Sequence, residues 1–172
     1  MREMRTRCPV LWGSEQHRGG GPTTGYRWGV LLLVAHLAAV WFLVGLVWMV
    51  QVLVYPGFAA VGAAPGWREH HDRHTRLMGY VVTGPWAVQG VTTAWLLLDR
   101  PDGVGLAPVA AAAVCGLVTV GVTVGVSVPC HRRLSAGYDA AVLRRLVVTN
   151  RWRTAAWTLG GVVAVVMVLS AQ

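Results

Sequence analysis

The chain has 172 residues, of which 55% are hydrophobic and only 13% charged, a balance outside that of soluble domains. Its net charge of +8 is carried by 15 arginines and no lysine, gathered at the ends of apolar blocks. No aromatic–basic interleaving runs through the polar segments, so nucleic acid is excluded and the lipid bilayer is the partner the charge pattern fits. Cys8, Cys115 and Cys130 form no CxxC or CxxCH, which excludes thioredoxin-like chemistry, covalent haem attachment and a cysteine zinc site.

Residues 1–26 are polar, with Arg2, Arg5, Arg7 and a Gly19–Pro22 stretch, and read as a flexible tail. Residues 27–172 hold four long apolar blocks with almost no internal charge, the pattern that hydrocarbon selects. The predicted fold is all-α, a polytopic four-transmembrane-helix bundle with extra-membrane extensions of helices 2 and 4. The first span covers 29–54 and ends at Tyr55-Pro56, followed by a Gly/Ala/Pro loop to Trp67. The second helix starts outside the lipid near Trp67, and only 77–98 sits in hydrocarbon. Asp99–Gly103 makes a tight turn. The third span covers 106–128, carries Gly121 and Gly125 as a GxxxG pair, and ends at Pro129. Asp139 reads as the N-cap of a last helix whose span is 154–169, with Ala156, Gly160 and Ala164 at small-xxx-small spacing.

Four spans put loops one and three on the same side. Those loops hold nine arginines (68, 73, 76, 132, 133, 144, 145, 151 and 153) against six on the other side. The positive-inside rule then places both loops in the cytoplasm of a cell inner (plasma) membrane and both termini outside.

The densest polar signal is Glu69-His70-His71-Asp72-Arg73-His74 at the start of helix two. His70 and His74 stand at i, i+4, and His71 and His74 at i, i+3, so either pair can aim two imidazoles at one ion. His71, His74, Met78, Val82, Pro85 and Gln89 form one stripe that descends into the bilayer, where polar groups face a bundle interior or a cavity. His131, beside Cys130, lies at the same end, as do Gln51 and the Asn150, Arg153, Thr154, Trp157 face of helix four. Three readings stay open for the histidines: interfacial side chains paired with Glu69, Asp72 and Asp139; a metal site of His70, His71, His74 and His131; or proton handling. For Asn150 and Arg153 the choice lies between capping between helices and holding an anionic group. His36, inside span one, has no histidine at its depth in the other spans and so no bis-His haem partner.

The run Gln51–Phe58, Trp67 with the histidine cluster, Val128–Leu134 followed by Gly137-Tyr138-Asp139, and Leu146–Thr154 resemble a group of uncharacterised bacterial four-span integral membrane proteins. The resemblance covers most of the chain after residue 30 and brings no established activity. More distantly, Pro129, His131 and Leu134 match a P-x-H/N-x-x-L segment of anthrone-oxygenase-like membrane proteins, a group tied to oxidation of aromatic polyketides.

Two functions are therefore expected. One is an accessory or assembly protein whose small-residue faces build a homo-oligomer or a larger membrane complex. The other is a membrane-embedded metal-dependent oxidase or oxygenase acting on a lipophilic small molecule. There His71, His74, His131, Arg153 and Asn150 would be catalytic, and the four histidines would hold a transition metal (Cu, Fe or Zn).

Overall fold

A computed structural model describes residues 22–171, with side chains from Arg27 onward. The tail reading for residues 1–21 lies outside the described residues. All described secondary structure is helical, so the all-α fold expected from the sequence is what the chain adopts. The helices are α1 (Pro22–Met49), α2 (Tyr55–Val61), α3 (Trp67–Leu98), α4 (Leu106–Val122), α5 (Val128–Ala136) and α6 (Ala140–Ser170). α1 runs into α2 through a π-helical turn, Val50–Val54, and α4 into α5 through a second, Thr123–Ser127. Four rods result, Arg27–Val61, Trp67–Leu98, Leu106–Ala136 and Ala140–Ser170, each long and apolar enough to cross a membrane.

Three boundaries differ from expectation. α1 begins at Pro22, inside the stretch read as tail. Pro56 and Pro129 were expected to end spans one and three, yet the chain stays helical through both. The two corrections share a cause. Proline has no N–H for an i→i−4 bond, and its ring crowds the carbonyl of residue i−4. Those carbonyls belong to Val52 and Gly125, and each lies within a π-helical turn. The wider i→i+5 winding there moves the carbonyl out of the ring's way, so each proline sits at the first turn of α2 or α5, a position it tolerates.

At 1.5 Å per residue the 32 residues of α3 span about 48 Å, well beyond the roughly 30 Å of hydrocarbon. The excess is the polar run at its start, as the sequence indicated. Asp139 caps α6 as expected, its Oδ1 accepting from the backbone N–H of Ala141 (2.8 Å) and Val142 (3.1 Å).

The bundle is apolar outside as well as inside. Leu31, Phe42, Leu53, Val91, Leu117 and Leu159 are exposed, as side chains solvated by lipid would be. α6 is the central packing element. Gly160 lies against Cys115 and Val40, and Gly161 against Trp41 and Val44, close enough that an added Cβ would meet side chains at 3.3–3.9 Å. The small-residue face of α6 is therefore used within the bundle. The Gly121/Gly125 pair on the α4–α5 rod is not, because among the described residues a Cβ added at either would meet nothing within 4 Å.

The loop between α2 and α3 and the one between α5 and α6 meet at one end. Trp67 Nε1 donates to the Leu134 carbonyl at 2.8 Å, and the Tyr138 ring meets Trp67 edge-on at 5.0 Å. At the other end Leu96, Val109, Ala112 and Met167 form a separate apolar cluster with Leu33. The helices are tied at both ends, and the site lies between the ties.

Candidate functional site

A cavity of about 400 Å³ occupies the middle of the bundle, within the range that holds drug-sized ligands. Its back wall is α1 and α6, with Leu43, Val47, Val50 and Trp157. One flank is α3, contributing His74, Met78, Val82 and Trp86; the other is the α4–α5 rod, contributing Thr123, Ser127 and His131. The lining is mostly apolar, with polar groups gathered toward the end where His131 and Arg153 stand. Gly79 and Thr83 on α3, and Val128 and Arg132 on α5, line the cavity and are also exposed. The cavity therefore opens sideways between α3 and the α4–α5 rod, toward lipid. Both π-helical turns contribute lining residues, so the winding defects that accommodate the prolines also shape the cavity wall.

Two arginines line the cavity, Arg132 at its exposed edge and Arg153 in a more buried position. Arg153 Nη1 donates to Asn150 Oδ1 at 3.2 Å, and its guanidinium lies over the Trp157 ring, 5.1 Å from the centroid. Asn150 is fully buried and passes the connection on, its Nδ2 donating to Gln51 Oε1 at 2.9 Å. This chain of amides orients the guanidinium but contributes no negative charge. Among the described residues Arg153 has no carboxylate partner, and its Nε, like Ser127 Oγ, is buried without a hydrogen bond. Each unpaired buried polar atom costs roughly 1–3 kcal/mol, more for a charged group, and both lie on residues that line the cavity. Trp157 in turn donates through Nε1 to Gln89 Oε1 at 3.0 Å, which fixes the ring under the guanidinium.

The histidines divide into different environments. His71 is fully buried, stacked on Trp67 at 5.4 Å between centroids, and its Nε2 lies 3.0 Å from His131 Nδ1. The other side of the His71 ring meets Ser135 Oγ at 3.2 Å and, more distantly, Asp72 Oδ1 at 3.8 Å, both measured from Nδ1. His74 packs edge-on against Phe58 at 4.9 Å and lines the cavity. His70 is exposed on the Phe58 edge at 5.8 Å and does not line the cavity.

The metal reading needed His70, His71, His74 and His131 around one point, and the chain does not arrange them so. Among the described residues no group of three or more His, Cys, Asp or Glu is placed to hold a metal ion. The physical reason is plain in the His71–His131 contact. One of these two ring nitrogens must carry the proton that the other accepts, so neither is free for a metal, and His70 does not line the cavity that His74 and His131 share.

Of the expected catalytic set, His74, His131 and Arg153 line the cavity, whereas His71 and Asn150 stand behind it. Cys130 packs in the apolar cluster with Leu134 and Leu146 instead of at the cavity. His36 is buried with Nδ1 2.8 Å from Thr92 Oγ1, and among the described residues it has no histidine partner. Sequence reasoning missed Ser127 and Ser135. Ser135 had a readable signal, because it stands one turn beyond His131 on the same helix. Comparison with protein-family models, curated proteins and solved structures finds no match for the chain.

Proposed function

We propose that this integral membrane protein binds, from within the bilayer, a lipophilic small molecule that carries an anionic head. The observation that carries this reading is Arg153, a guanidinium with no carboxylate partner among the described residues, set at the polar end of an apolar cavity open to lipid. A carboxylate or phosphate there would take the unpaired Nε–H and the Ser127 hydroxyl. Its apolar body would lie along Met78, Val82 and Trp86. In the plasma membrane, the arginine distribution favours placing this end on the cytoplasmic side, the termini lying opposite.

Access should depend on the opening beside α3. Gly79 lines the mouth, and among the described residues a Cβ there would meet nothing within 4 Å, so a leucine side chain starts in open space beside the opening. Gly79→Leu is expected to lower saturable binding of a radiolabelled tetradecanoate several-fold while leaving the thermal midpoint equal or higher, since leucine is the better helix former. Undiminished binding in that variant would place the ligand elsewhere.

A second reading, assembly with itself or a larger complex, has its own observation. Gly121 and Gly125 lie one turn apart on the α4 rod, exposed and open to close approach by another helix. Gly121→Leu/Gly125→Leu is expected to reduce the size of the detergent-solubilised particle on a sizing column without lowering tetradecanoate binding. An unchanged elution volume would remove assembly through this face.

A further inference from the structure

His131 is the one histidine that both lines the cavity and is hydrogen-bonded from behind by a buried side chain. Its Nδ1 is engaged by His71 Nε2 at 3.0 Å, which leaves Nε2 as the free nitrogen on the cavity side. His71 is wholly buried, and its far nitrogen meets Ser135 Oγ at 3.2 Å with the Asp72 carboxylate 3.8 Å away. Both groups on that side suit a protonated Nδ1, the Ser135 hydroxyl oxygen accepting at 3.2 Å and the Asp72 charge acting from 3.8 Å, beyond hydrogen-bond distance. A negative charge beside His71 Nδ1 favours a proton there, so His71 Nε2 accepts, His131 Nδ1 donates, and His131 Nε2 carries the lone pair. The order carboxylate, imidazole, imidazole, cavity is the arrangement a general base needs, with geometry set first and basicity supplied from behind.

We propose that His131 Nε2 is a general base for the bound lipophilic molecule, with His71 and Asp72 as positioning residues. The site would then catalyse proton abstraction from the ligand beside its anionic head. This rests on the binding reading above, since Arg153 holds the head. The step balances without any further reactant. An acidic C–H or O–H of the ligand breaks heterolytically, its proton forms the Nε2–H bond of an imidazolium on His131, and its electron pair stays on the ligand as an enolate or phenolate. The new cation keeps its Nδ1–H bond to His71, and the Arg153 guanidinium that lines the same cavity balances the charge of the new anion. Reversal returns the proton, so the reaction class is isomerisation or activation of an acidic, lipophilic carbon or hydroxyl acid. Among the described residues, the titratable or charged groups around the pair are His70, Asp72 and His74 on α3, Tyr55 on α2, Arg132 on α5 and Arg153 on α6. Only Asp72 is an acid that stands on the His71 side of the pair.

The full-length protein in nanodiscs is treated with tridecyl bromomethyl ketone, an uncharged apolar probe that needs no knowledge of the natural substrate. A neutral imidazole Nε2 displaces bromide, forming an N–C bond that peptide mass spectrometry locates. Labelling is expected at His131 in preference to the more exposed His70, to be slowed by excess tetradecanoate, and to rise with pH. Asp72 is more than half exposed, at 55%, so Asp72→Asn preserves the bundle. Removing its charge is expected to slow the reaction several-fold and to move the midpoint of the pH–rate profile downward. His71→Gln should lower the rate further. A merely structural Asp72 would leave the midpoint where it was, and that result overturns the relay. Tetradecanoate binding with no label on His131 overturns the general base while leaving the binding reading intact. Absence of both binding and label overturns the two together.

Discussion

Replacing Arg153 by glutamine is expected to lower the affinity for an anionic amphiphile such as tetradecanoate by about 10- to 100-fold. A hydrogen bond to a charged group is worth roughly 1.5–3 kcal/mol, and about 1.4 kcal/mol corresponds to a factor of ten. Glutamine keeps a donor for Asn150 and removes the charge, so the Asn150–Gln51 pair at 2.9 Å has no reason to break. Stability should hold or rise, because a half-buried guanidinium without a carboxylate partner costs desolvation that the neutral amide avoids. Arg153→Lys should fall between the two, retaining charge but losing the planar fork that matches a carboxylate. Equilibrium binding of labelled tetradecanoate, read beside a thermal scan in the same detergent, checks both parts. Lost binding with a collapsed midpoint would make Arg153 structural, and unchanged binding would remove it from the site.

Trp67→Ala is expected to destabilise the protein by about 3–5 kcal/mol, the usual cost of emptying a buried tryptophan site. Trp67 is only 4% exposed and starts the part of α3 that extends beyond the hydrocarbon, so water-based magnitudes apply to it. Its ring touches Phe58 at 5.6 Å, His71 at 5.4 Å and Tyr138 at 5.0 Å, and thus ties α2, α3 and the α5–α6 connection together. Its Nε1–H also serves the Leu134 carbonyl at 2.8 Å, in the last turn of α5, where the Gly137 backbone N–H donates to the same oxygen at a longer 3.2 Å. Trp67→Phe keeps most of the packing and loses this bond, so a smaller loss of about 1 kcal/mol is expected. Equilibrium unfolding in mixed micelles measures both. A cost under roughly 1 kcal/mol for alanine would mean that this end is not the clamp that positions His71 and His131.

The extent to which this structure was legible in the sequence follows from what each feature depends on. The four rods depend on apolar composition and length, which are local, and they were found at nearly their true positions. Asp139 was legible for the same reason, since a cap needs only one carboxylate and two following N–H groups. Pro56 and Pro129 misled because proline's local preference is to end a helix, and the π-helical turns that absorb them have no sequence signature of their own. The polar end was partly legible: helical spacing put His71, His74, Met78 and Gln89 on one face, and that face does turn inward. What periodicity cannot give is which atom meets which across helices 60 residues apart. His71 and His131 read equally well as two metal ligands until their nitrogens are seen 3.0 Å apart, bonded to each other. The same holds for Arg153, whose significance lies in the lack of a carboxylate beside it among the described residues. The sequence left Arg153 between a structural role between helices and an anionic ligand; of the nearby acids, Asp72 stands beside His71 and Asp139 caps α6.

The central claim is that the cavity recognises a negative head on an apolar body. Paired titrations of tetradecanoate and its uncharged counterpart tetradecanol into the full-length protein in neutral-lipid nanodiscs test it most directly. One saturable site per chain is expected for the carboxylate, at least tenfold tighter than for the alcohol, with the difference erased in Arg153→Gln. Equal affinity for the two compounds, or uptake that rises without saturation as simple partition into lipid does, would contradict it.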